Sequence, residues 1–565
     1  MVLNIITLCL YIVDIGFTIS RNFEKTILIC YYITLILGLV HTFIMIIYEK
    51  NKNFRLLLFD SISIGLILFF IYKQIISQTY FSITTEWIQA AIILKLIRAI
   101  VTPRIKYKRS VLNPAQLFII SFLCLIIIGA LLLSLPNATN SRISFLDALF
   151  TSTSAVCVTG LTVIDISSGF TQFGQTIIML LVQAGGLGIL TFASYFSYFF
   201  KGGSSYENQL ALSDISDSNK IGEVFTTLKR IIAITFIIEF IGAFFIFINI
   251  DKAFIYSFWE RVFFAFFHSI SAFCNAGFST MPKGMMQEGF QFNYSLQFII
   301  IMIFVFGGLG FPIMINILRY FKYFIKRYIL WFVDGKINYK AWVMTFSSKI
   351  NLITTFILIL LGTVLVFMLE YSNSLNIHHG FGKFITALFT ATTPRSAGLN
   401  TIDFNSLHTS TILVIILLMW IGASPASTGG GIKTSTFAIA TLNFISLAKG
   451  KRKIELFRRE VADISVRRAF ATMTLSFISI GIGICLVTHF DSQFSLLDIA
   501  FECVSAYCTV GLSLGITPEL SEASKIVMII LMFTGRVTML SILIAFFKKA
   551  KTMSYQYPTD EIMIN

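Results

Sequence analysis

Apolar runs of about 20 residues recur along the whole length of this 565-residue chain. As an α-helix, each run is long enough to cross the roughly 30 Å hydrocarbon core of a bilayer. Only 13% of the residues are charged, against roughly 25% in an average soluble domain. Continuous runs favour helices over a β-barrel, whose strands would alternate polar and apolar residues over about 10 positions. The chain is therefore predicted to be an all-α polytopic membrane protein, which excludes soluble enzymes, nucleic-acid-binding proteins and secreted disulfide scaffolds.

The net charge of +15 is explained by topology rather than by a nucleic-acid partner. Most of the 43 Lys and Arg residues lie in five short segments between or after the apolar runs: 95–109, 201–230, 319–349, 449–468 and 548–551. An excess of Lys and Arg in short loops marks the cytoplasmic side, so all five segments are placed there, beside anionic lipid. Docking of a cytoplasmic protein on some of them is the alternative.

Four internal repeats account for most of the chain. Each repeat has a long apolar span, a shorter apolar helix, a turn that contains glycine, and a second long span. The glycines are Gly160, Gly277, Gly398 and Gly511. Ten positions before them stand Phe150, Phe267, Leu388 and Phe501, six before stand Ser154, Ser271, Thr392 and Ser505, and two after stand Thr162, Ser279, Asn400 and Ser513. Fixed offsets in four copies are typical of an internal repeat.

The repeats divide the chain into five parts. The predicted divisions are an N-terminal transmembrane extension of three or four spans at 1–109, then pore repeats at 110–200, 201–318, 319–448 and 449–565. The short helices start near Phe145, Trp259, Phe381 and Leu496, and about 12 to 15 residues reach only half-way across a bilayer. Because both ends of each repeat are basic, the turns are reached from outside. Four span–pore helix–span repeats in a pseudo-fourfold arrangement are predicted to share one pore.

The turns are predicted to form a selectivity filter. A pore that strips water from a small cation must replace the lost ligands, and rings of backbone carbonyls do this for K+. Glycine adopts the required backbone angles at little steric cost, and the C-terminal ends of the short helices add partial negative charge. Helix capping explains any one such glycine, but four in register favour the filter. The predicted filter residues are Val158, Thr159, Gly160, Asn275, Ala276, Gly277, Ser396, Ala397, Gly398, Thr509, Val510 and Gly511, with the hydroxyl residues six before each glycine as supports.

A gate is predicted below the filter. The segment 422–433 interrupts the third returning span with Gly, Pro and Ser, so it cannot remain a continuous helix. Polar backbone at that depth is tolerated where it lines a pore. Arg536 lies within the fourth returning span, where it costs about 2.5 to 3.5 kcal/mol and needs a partner or a cavity. The predicted gate residues are Gly422, Gly429, Gly430, Gly431, Lys433 and Arg536, and Lys433 either faces the cavity or snorkels to the cytoplasmic edge.

Several further residues carry more limited expectations. Arg395, beside the third filter turn, is expected to pair with an acid such as Asp403. The carboxylates of Asp165, Asp403 and Glu519 follow filter glycines at the outer face, where they either attract cations or are simply solvated. The glycine runs at 185–188 and 307–310 are read as sites of close helix packing or a bend.

The four turns, the interrupted segment and the closing repeat together resemble the Trk/Ktr/HKT superfamily of cation transporters, in particular the KtrB/TrkH type of bacterial K+-uptake subunit. The resemblance covers about residue 110 to the end, where the tail 555–562 looks like a KtrB ending. It implies that 422–433 is an intramembrane gating loop and that Arg536 is an electrostatic barrier, although Ile421 stands where a second glycine is common. Plant relatives that tend toward Na+ have Ser at the first filter glycine, so Gly160 implies K+.

The resemblance also implies partners and a location. It implies a homodimer in the cell inner (plasma) membrane, in contact with lipids, and a cytoplasmic ring of nucleotide-binding RCK subunits of the KtrA/TrkA kind. K+ is then the substrate, the nucleotide is expected on the partner subunit, and no cofactor is expected in this chain. Candidate docking surfaces are the basic loops 319–349 and 446–468 and the C-terminal tail.

The predicted function is therefore a K+-uptake pore driven by the membrane potential. Two alternatives stay open: a Na+-preferring or poorly selective monovalent cation channel, and an intramembrane enzyme. The enzyme is the weaker alternative, because no nucleophile with a base and no paired carboxylates stand at membrane depth. Coupling to Na+ or H+, as in a symport, is left open. The charged residues Asp14, Asp60, Lys95 and Arg98 make residues 1–109 either a packing or dimer-edge bundle or a four-helix sensor.

Overall fold

The computed structural model describes residues 2–17, 21–48, 54–80, 86–101, 114–188, 224–250, 255, 257–334, 344–451 and 453–546. These residues are mostly helical, with one small hairpin of β1 (Glu455–Leu456) and β2 (Arg459–Glu460). The predicted all-α fold class is therefore confirmed. The basic residues 201–223 lie outside the described residues, as do 335–343 and the tail 547–565, which belong to the predicted docking surfaces.

The N-terminal extension is a bundle of four helices: α1 (Val2–Gly16), α2 (Arg21–Tyr48), α3 (Phe54–Tyr80) and α4 (Glu86–Val101). Its buried core includes Tyr31 and Ile92. Two of the charged residues singled out in the sequence are cross-links within this bundle. Lys95 Nζ donates to Thr34 O at 2.7 Å, and Asp14 accepts from Tyr31 at 2.9 Å. These contacts favour the packing interpretation, while the side chains of Asp60 and Arg98 lie outside the described residues.

Each repeat keeps the predicted order of entering helix, pore helix, turn and returning helix. The entering helices are α5 (Pro114–Leu133), α9 (Val224–Asn249), α13 (Phe346–Glu370) and α17 (Asp463–Phe490). The pore helices are α6 (Phe145–Val156), α10 (Phe258–Cys274), α14 (Phe381–Thr392) and α18 (Leu496–Tyr507). The returning elements are α8 (Gln172–Gly186), after the one-turn α7 (Ile166–Gly169), then α11 (Tyr294–Leu309) with α12 (Phe311–Asp334), α15 (Thr409–Trp420) with α16 (Thr434–Ala448), and α19 (Glu522–Val537) with α20 (Met539–Phe546).

The pore helices start within one residue of their predicted positions. Three of them are 12 residues long and α10 is 17 residues long. Local sequence explains two of the starts, because Ser144 and Ser495 each cap the backbone N–H of an Asp three residues later. An acidic residue in the first turn also complements the helix dipole.

Three of the four returning elements are broken, one of them at the interrupted segment predicted from the sequence and one in a glycine run that was read as a site of close packing or a bend. At Gly310, whose φ is +88°, α11 and α12 are bent by 106°. Thr538, with φ +66°, separates α19 from α20, and residues 421–433 separate α15 from α16. Among the described residues, four single helices are long and apolar enough to cross a membrane: Phe23–Ile44, Lys229–Asn249, Phe346–Glu370 and Asp463–Phe490. The number is five if the bent pair α11 and α12 is one span. The break at Thr538 was not predicted, because hydropathy does not register a local change of backbone conformation.

The glycine runs in the returning helices provide both close packing and bending. A Cβ at Gly185 would overlap Val156 O, and one at Gly307 would overlap Phe273 O. Gly535 has the same relation to Tyr507 O. In three repeats a returning helix therefore lies directly against the last turn of its pore helix, which only glycine permits at that distance. The two contacts of Gly185 and Gly307 agree with the packing interpretation of these runs.

His378 predicts a pH dependence of stability. It lies in the outer loop before α14, where its Nδ1 is 3.1 Å from Tyr294 Oη of the second repeat. Burial lowers its pKa, and the charges of His379 and Lys383 add to this. The neutral form is therefore favoured in the folded protein, so its contribution is present above a pH of roughly 6.5 and is lost as the pH falls through the lowered pKa.

We expect the melting temperature of the purified protein to fall more steeply below pH 6 in the wild type than in His378→Gln. His489→Gln is the control, because this histidine is exposed and lies in α17, away from the outer loop before α14. Equal pH profiles for the wild type and His378→Gln would contradict the prediction.

Candidate functional site: four turns above an intramembrane loop

The four glycine turns meet in a ring. A Cβ added to Gly160 would contact Ala276 and Gly277, and one added to Gly277 would lie 2.9 Å from Gly398 Cα. A Cβ at Gly398 would lie 3.4 Å from Gly511 Cα, and one at Gly511 would lie 2.9 Å from Gly160 Cα. The contacts run in the order of repeats one, two, three, four and back to one. The twelve predicted filter residues therefore belong to four turns that close around a common centre.

Each turn has the same unusual backbone conformation. The glycine and the residue two positions before it both have positive φ, while the residue between them does not. The non-glycine members are Val158 (59°), Asn275 (60°), Ser396 (77°) and Thr509 (48°). Alternation of this kind turns successive peptide groups, so that their carbonyls can face the same side. A left-handed non-glycine residue costs roughly 1 to 3 kcal/mol, and such strain persists mainly at functional sites.

Hydroxyl side chains support the turns from behind, as predicted, in three repeats. Ser154 Oγ accepts from Gly160 N at 3.0 Å, and Ser505 Oγ accepts from Gly511 N at 3.1 Å. Ser271 Oγ instead donates to Phe278 O at 2.7 Å. All three hydroxyls are buried, so they hold the turn and do not face the pore.

The predicted support in the third repeat is wrong by one residue. Thr392 Oγ1 donates to Leu388 O of its own helix at 2.6 Å, whereas Thr393 Oγ1 donates to Leu399 O in the turn. The buried large side chain is likewise Phe389 rather than Leu388. The N–H of Ala397 bonds the carbonyl four residues back, one fewer than the five-residue spacing in the other turns. The third turn is therefore one residue shorter, which alignment on the glycine alone cannot detect.

The interrupted segment between α15 and α16 folds back on itself. Ala423 N donates to Gly430 O at 3.2 Å, and Ile432 N donates to Trp420 O at 3.1 Å. A Cβ on Gly422 would overlap Gly430 O. The two ends of the loop thus lie side by side, and glycine is required where they touch.

This loop is bonded to the filter turns and to the second repeat. Gly430 N donates to Ser396 Oγ at 2.8 Å, and Thr428 Oγ1 donates to Phe273 O, at the end of the second pore helix, at 3.1 Å. Ser424 N donates to Gly308 O at 3.0 Å. The loop therefore lies under the ring, against the inner ends of the pore helices. The cavity of about 170 Å³ that the four glycines line is on the other, outer side.

Arg536 joins the loop to two other repeats. Its guanidinium donates to Thr428 O in the loop at 2.5 Å and to Gly185 O in the first repeat at 2.6 Å. The side chain is only 7% exposed. Two backbone carbonyls are therefore the partners that the buried guanidinium of Arg536 requires. A carbonyl has no net charge, so these contacts do not neutralise the positive charge of Arg536.

Lys433 is turned back onto the loop. Its Nζ donates to Gly429 O at 2.7 Å, and the residue is partly buried. It therefore does not extend to the cytoplasmic edge, which settles the choice between the two expected positions against snorkelling. Lys433 belongs to the loop and Arg536 of α19 contacts it, so two cationic side chains lie at the loop. They repel a permeating cation, and the repulsion is strong where little water screens it.

The structure corrects the expected partner of Arg395 and separates the three outer carboxylates by position. Arg395 does not pair with Asp403: its guanidinium donates to Gly422 O at 3.3 Å and to Thr355 O at 3.5 Å. Asp403 is exposed and caps the N–H of Asn405 at 3.0 Å. Among the three outer carboxylates, only Asp165 is part of the outer cavity lining. Arg395 instead fixes the first residue of the loop to the third entering helix.

Sequence reasoning missed two buried carboxylates. Glu239 of α9 is 3% exposed and accepts from Gln183 Nε2 of α8 at 3.1 Å. Its Oε1 also lies 3.8 Å from Sγ of Cys274, the residue directly before the second filter turn. Glu502, in the fourth pore helix, is 1% exposed. A single acid inside an apolar run was the available signal for both. The described residues contain no group of three or more His, Cys, Asp or Glu that could hold a metal ion.

Removal of Gly429 to Gly431 is expected to increase cation leak. The deletion shortens the loop and eliminates the bond from Gly430 to Ser396 and the acceptor of Lys433. Leak is measured as Rb+ flux through the purified protein in vesicles without any partner subunit. The control is Ser427→Ala, whose hydroxyl bonds only within the loop, to Ser424 O. Unchanged flux in a deletion variant that elutes as a folded protein would argue against a gate at this loop.

Known proteins with related sequences and folds agree with this architecture. A family profile named TrkH, described as a cation transport protein, matches residues 79–557. The chain is 36% identical over 452 residues to Ktr system potassium uptake protein B of Bacillus subtilis, which covers 80% of this chain and 96% of that protein. It is 33% identical over 470 residues to the potassium/sodium uptake protein NtpJ of Enterococcus hirae, covering 81% and 99%.

The fold is shared with a solved transporter structure. The crystal structure of the potassium transporter TrkH from Vibrio parahaemolyticus matches with a TM-score of 0.60 at 17% identity, covering 86% of this chain and 97% of that one. The family profile begins at residue 79, so it includes α4 of the N-terminal bundle as well as the four repeats. The chain therefore belongs to the TrkH family of membrane cation transport proteins.

Proposed function

We propose that this protein takes up K+ through the ring of four turns. The observation that supports this best is the shared backbone geometry: four turns with alternating positive φ contact one another in cyclic order at their glycines. Backbone carbonyls arranged in this way replace the hydration shell of K+. The relative from Bacillus subtilis is named as a potassium uptake protein, which is consistent with the same substrate here.

The second candidate is a Na+-preferring or poorly selective cation channel. The name of the Enterococcus hirae relative includes both potassium and sodium, so relatives of similar identity differ in the ions for which they are named. All four ring positions here are glycine, so no side chain narrows or distorts the ring. We therefore favour K+ as the main ion. The intramembrane enzyme is set aside, because the family comprises ion transporters.

Transport is gated by the loop under the ring. Carbonyl contacts from Arg536 and Arg395 hold the loop across the inner side of the filter. Opening requires these contacts to be released. Entry of one cation across the membrane then gains about 2.3 kcal/mol per 100 mV of membrane potential. The membrane potential can therefore drive uptake once the loop moves.

A cytoplasmic partner controls the loop. The Bacillus subtilis relative is named as protein B of a Ktr system, and the described residues of the four repeats form no nucleotide-binding domain. We propose a homodimer in the plasma membrane that binds a ring of nucleotide-binding RCK subunits through the basic loops 319–349 and 446–468 and the C-terminal tail. The second loop includes the hairpin β1–β2, which lies between α16 and α17.

Rescue of a bacterium that lacks K+ uptake, grown on low K+, tests the proposed function. We expect growth with this protein and its partner, and none with an empty vector. Purified protein in vesicles should then carry Rb+ in preference to Na+. Failure of rescue together with no cation flux would reject the pore, while equal Rb+ and Na+ flux would select the poorly selective channel. A requirement for a Na+ or H+ gradient would show symport, and flux without one would show a channel-like pore.

A further inference from the structure

The residues two positions after each filter glycine form a second polar ring. Thr162, Ser279, Asn400 and Ser513 all line the cavity of about 170 Å³ on the outer side of the glycines. A cation entering from outside passes these side chains before it reaches the carbonyls. Two of them, in the second and fourth repeats, have their hydroxyl protons directed away from the cavity by a buried side chain.

In the fourth repeat that buried side chain is Glu502. Ser513 Oγ donates to Glu502 Oε1 at 2.5 Å and accepts from Gly515 N at 2.8 Å. The same carboxylate accepts from Leu514 N at 3.1 Å and from Thr517 Oγ1 at 2.8 Å. Because Thr517 gives its proton to the carboxylate, its 3.2 Å contact with Ser513 is not a donation to Ser513. The serine oxygen therefore keeps one lone pair without a donor among these groups.

In the second repeat the corresponding side chain is His268. Its Nδ1 is 2.9 Å from Phe264 O, and a carbonyl can only accept, so Nδ1 carries the proton. The ring is fully buried, which favours the neutral form, and Nε2 is then an acceptor. Ser279 Oγ donates to Nε2 at 3.0 Å and accepts from Met281 N at 3.0 Å. Its hydrogen bonding thus matches that of Ser513.

The arrangement is confined to two opposite repeats. His268 and Glu502 both lie nine positions before their filter glycine, where the first repeat has Thr151. In the third repeat, whose turn is one residue shorter, the corresponding residue is Thr390, whose hydroxyl donates to Thr386 O at 2.9 Å within its own helix. The hydroxyl of Thr151 donates to Asp147 O at 2.9 Å within its own helix. In the ring order the second and fourth repeats face each other across the centre. Two oriented hydroxyl oxygens therefore stand on opposite sides of the outer entrance.

We propose that Ser279 and Ser513 form an outer subsite for the substrate, a partly dehydrated monovalent alkali cation, with His268 and Glu502 as positioning residues. A hydroxyl whose proton is held by a base presents its oxygen to a cation and cannot turn its hydrogen toward it. In its ionised form the carboxylate behind Ser513 adds attraction, because a charge in a medium of low dielectric constant is weakly screened. The subsite rests on the proposed function: it captures the cation before the carbonyls of the filter bind it.

The test measures the affinity of the full-length protein for external cation. Rb+ uptake into cells that express it is recorded from micromolar to millimolar Rb+, which separates KM from Vmax. We expect Ser513→Ala and Glu502→Gln each to raise KM about tenfold with little change in Vmax, as lost charge-assisted interactions of this kind predict. The double variant should raise KM no further, since both changes disable the same oxygen. Ser513→Thr, which keeps the hydroxyl, should retain the wild-type KM.

The controls separate the subsite from folding and from the proposed function. Glu519→Gln changes an exposed carboxylate of the same repeat that is not part of the cavity lining, and it should leave KM unchanged. The increase in melting temperature of purified protein with added Rb+ gives a second measure of affinity that does not depend on flux. A fall in Vmax with constant KM and constant Rb+ stabilisation would overturn the subsite. Absence of any Rb+ uptake by the wild type would instead reject the pore itself.

Discussion

Arg536→Gln is expected to convert the resting protein into a cation leak. The wild-type guanidinium holds Thr428 O of the loop and Gly185 O of the first repeat. Hydrogen bonds from a charged group contribute about 1.5 to 3 kcal/mol each. Loss of the contact with the loop alone therefore shifts the balance between closed and open loop by roughly tenfold to a hundredfold. The substitution also removes a positive charge from the ion path, which changes the barrier in the same direction.

The measurement is Rb+ flux through purified protein in vesicles without the cytoplasmic partner. Arg536→Lys keeps the charge but cannot bond both carbonyls with a planar fork, so its leak should lie between the wild type and Arg536→Gln. Arg468→Gln, at an exposed position in α17, is the control and should behave as the wild type. If Arg536→Gln leaks no more than Arg468→Gln does, the role of Arg536 as a barrier is wrong.

Gly160→Ser is expected to abolish most of the preference for K+ over Na+. The φ of Gly160 is +95°, and a Cβ there would overlap Ala276 O of the neighbouring turn. The carbonyl of Ala276 must move, and a ring of backbone oxygens selects through the number and position of its members. We expect the Rb+ to Na+ flux ratio to fall by about tenfold or more, the change that roughly 1.4 kcal/mol of differential binding produces.

Gly481→Ser is the matched control for this change. Gly481 lies in α17, and nothing is within 4 Å of the Cβ that a side chain would add. A wild-type flux ratio in Gly481→Ser and a lowered ratio in Gly160→Ser would assign the effect to the ring. An unaltered ratio in Gly160→Ser, in protein that still transports, would remove this turn from the filter.

Repetition in the sequence was enough to predict the four turns and their glycines. It was not enough to place every supporting side chain, because the third turn is one residue shorter than the others. Thr393 and Phe389 take the places expected for Thr392 and Leu388. The sequence there reads Thr-Thr-Pro, with a second hydroxyl beside the expected one. A fixed offset from the glycine selects the wrong hydroxyl because it assumes equal turn lengths.

Charged residues inside the apolar runs were harder to assign. Arg536 was correctly expected to need a partner, since an unpaired charge at that depth is costly. Arg395 was paired with the wrong group, because a nearby acid in the sequence was preferred over a backbone carbonyl from a distant loop. Gly422 O, which it contacts, is 27 residues away along the chain. Exposed backbone carbonyls that can bind a cation arise only after the loop has folded.

The sequence by itself determined the helical membrane architecture, the four repeats and the position of the interrupted segment. These follow from apolar run length, charge placement and glycine spacing, all of which can be read directly along the chain. Only the tertiary structure decided the bends in the returning helices, the partners of Arg395 and Arg536, and the link from Glu502 to Ser513. Each of these depends on atoms from separate segments or on the local backbone conformation that packing imposes. Hydropathy and spacing carry no record of such contacts, because many different packings satisfy the same pattern.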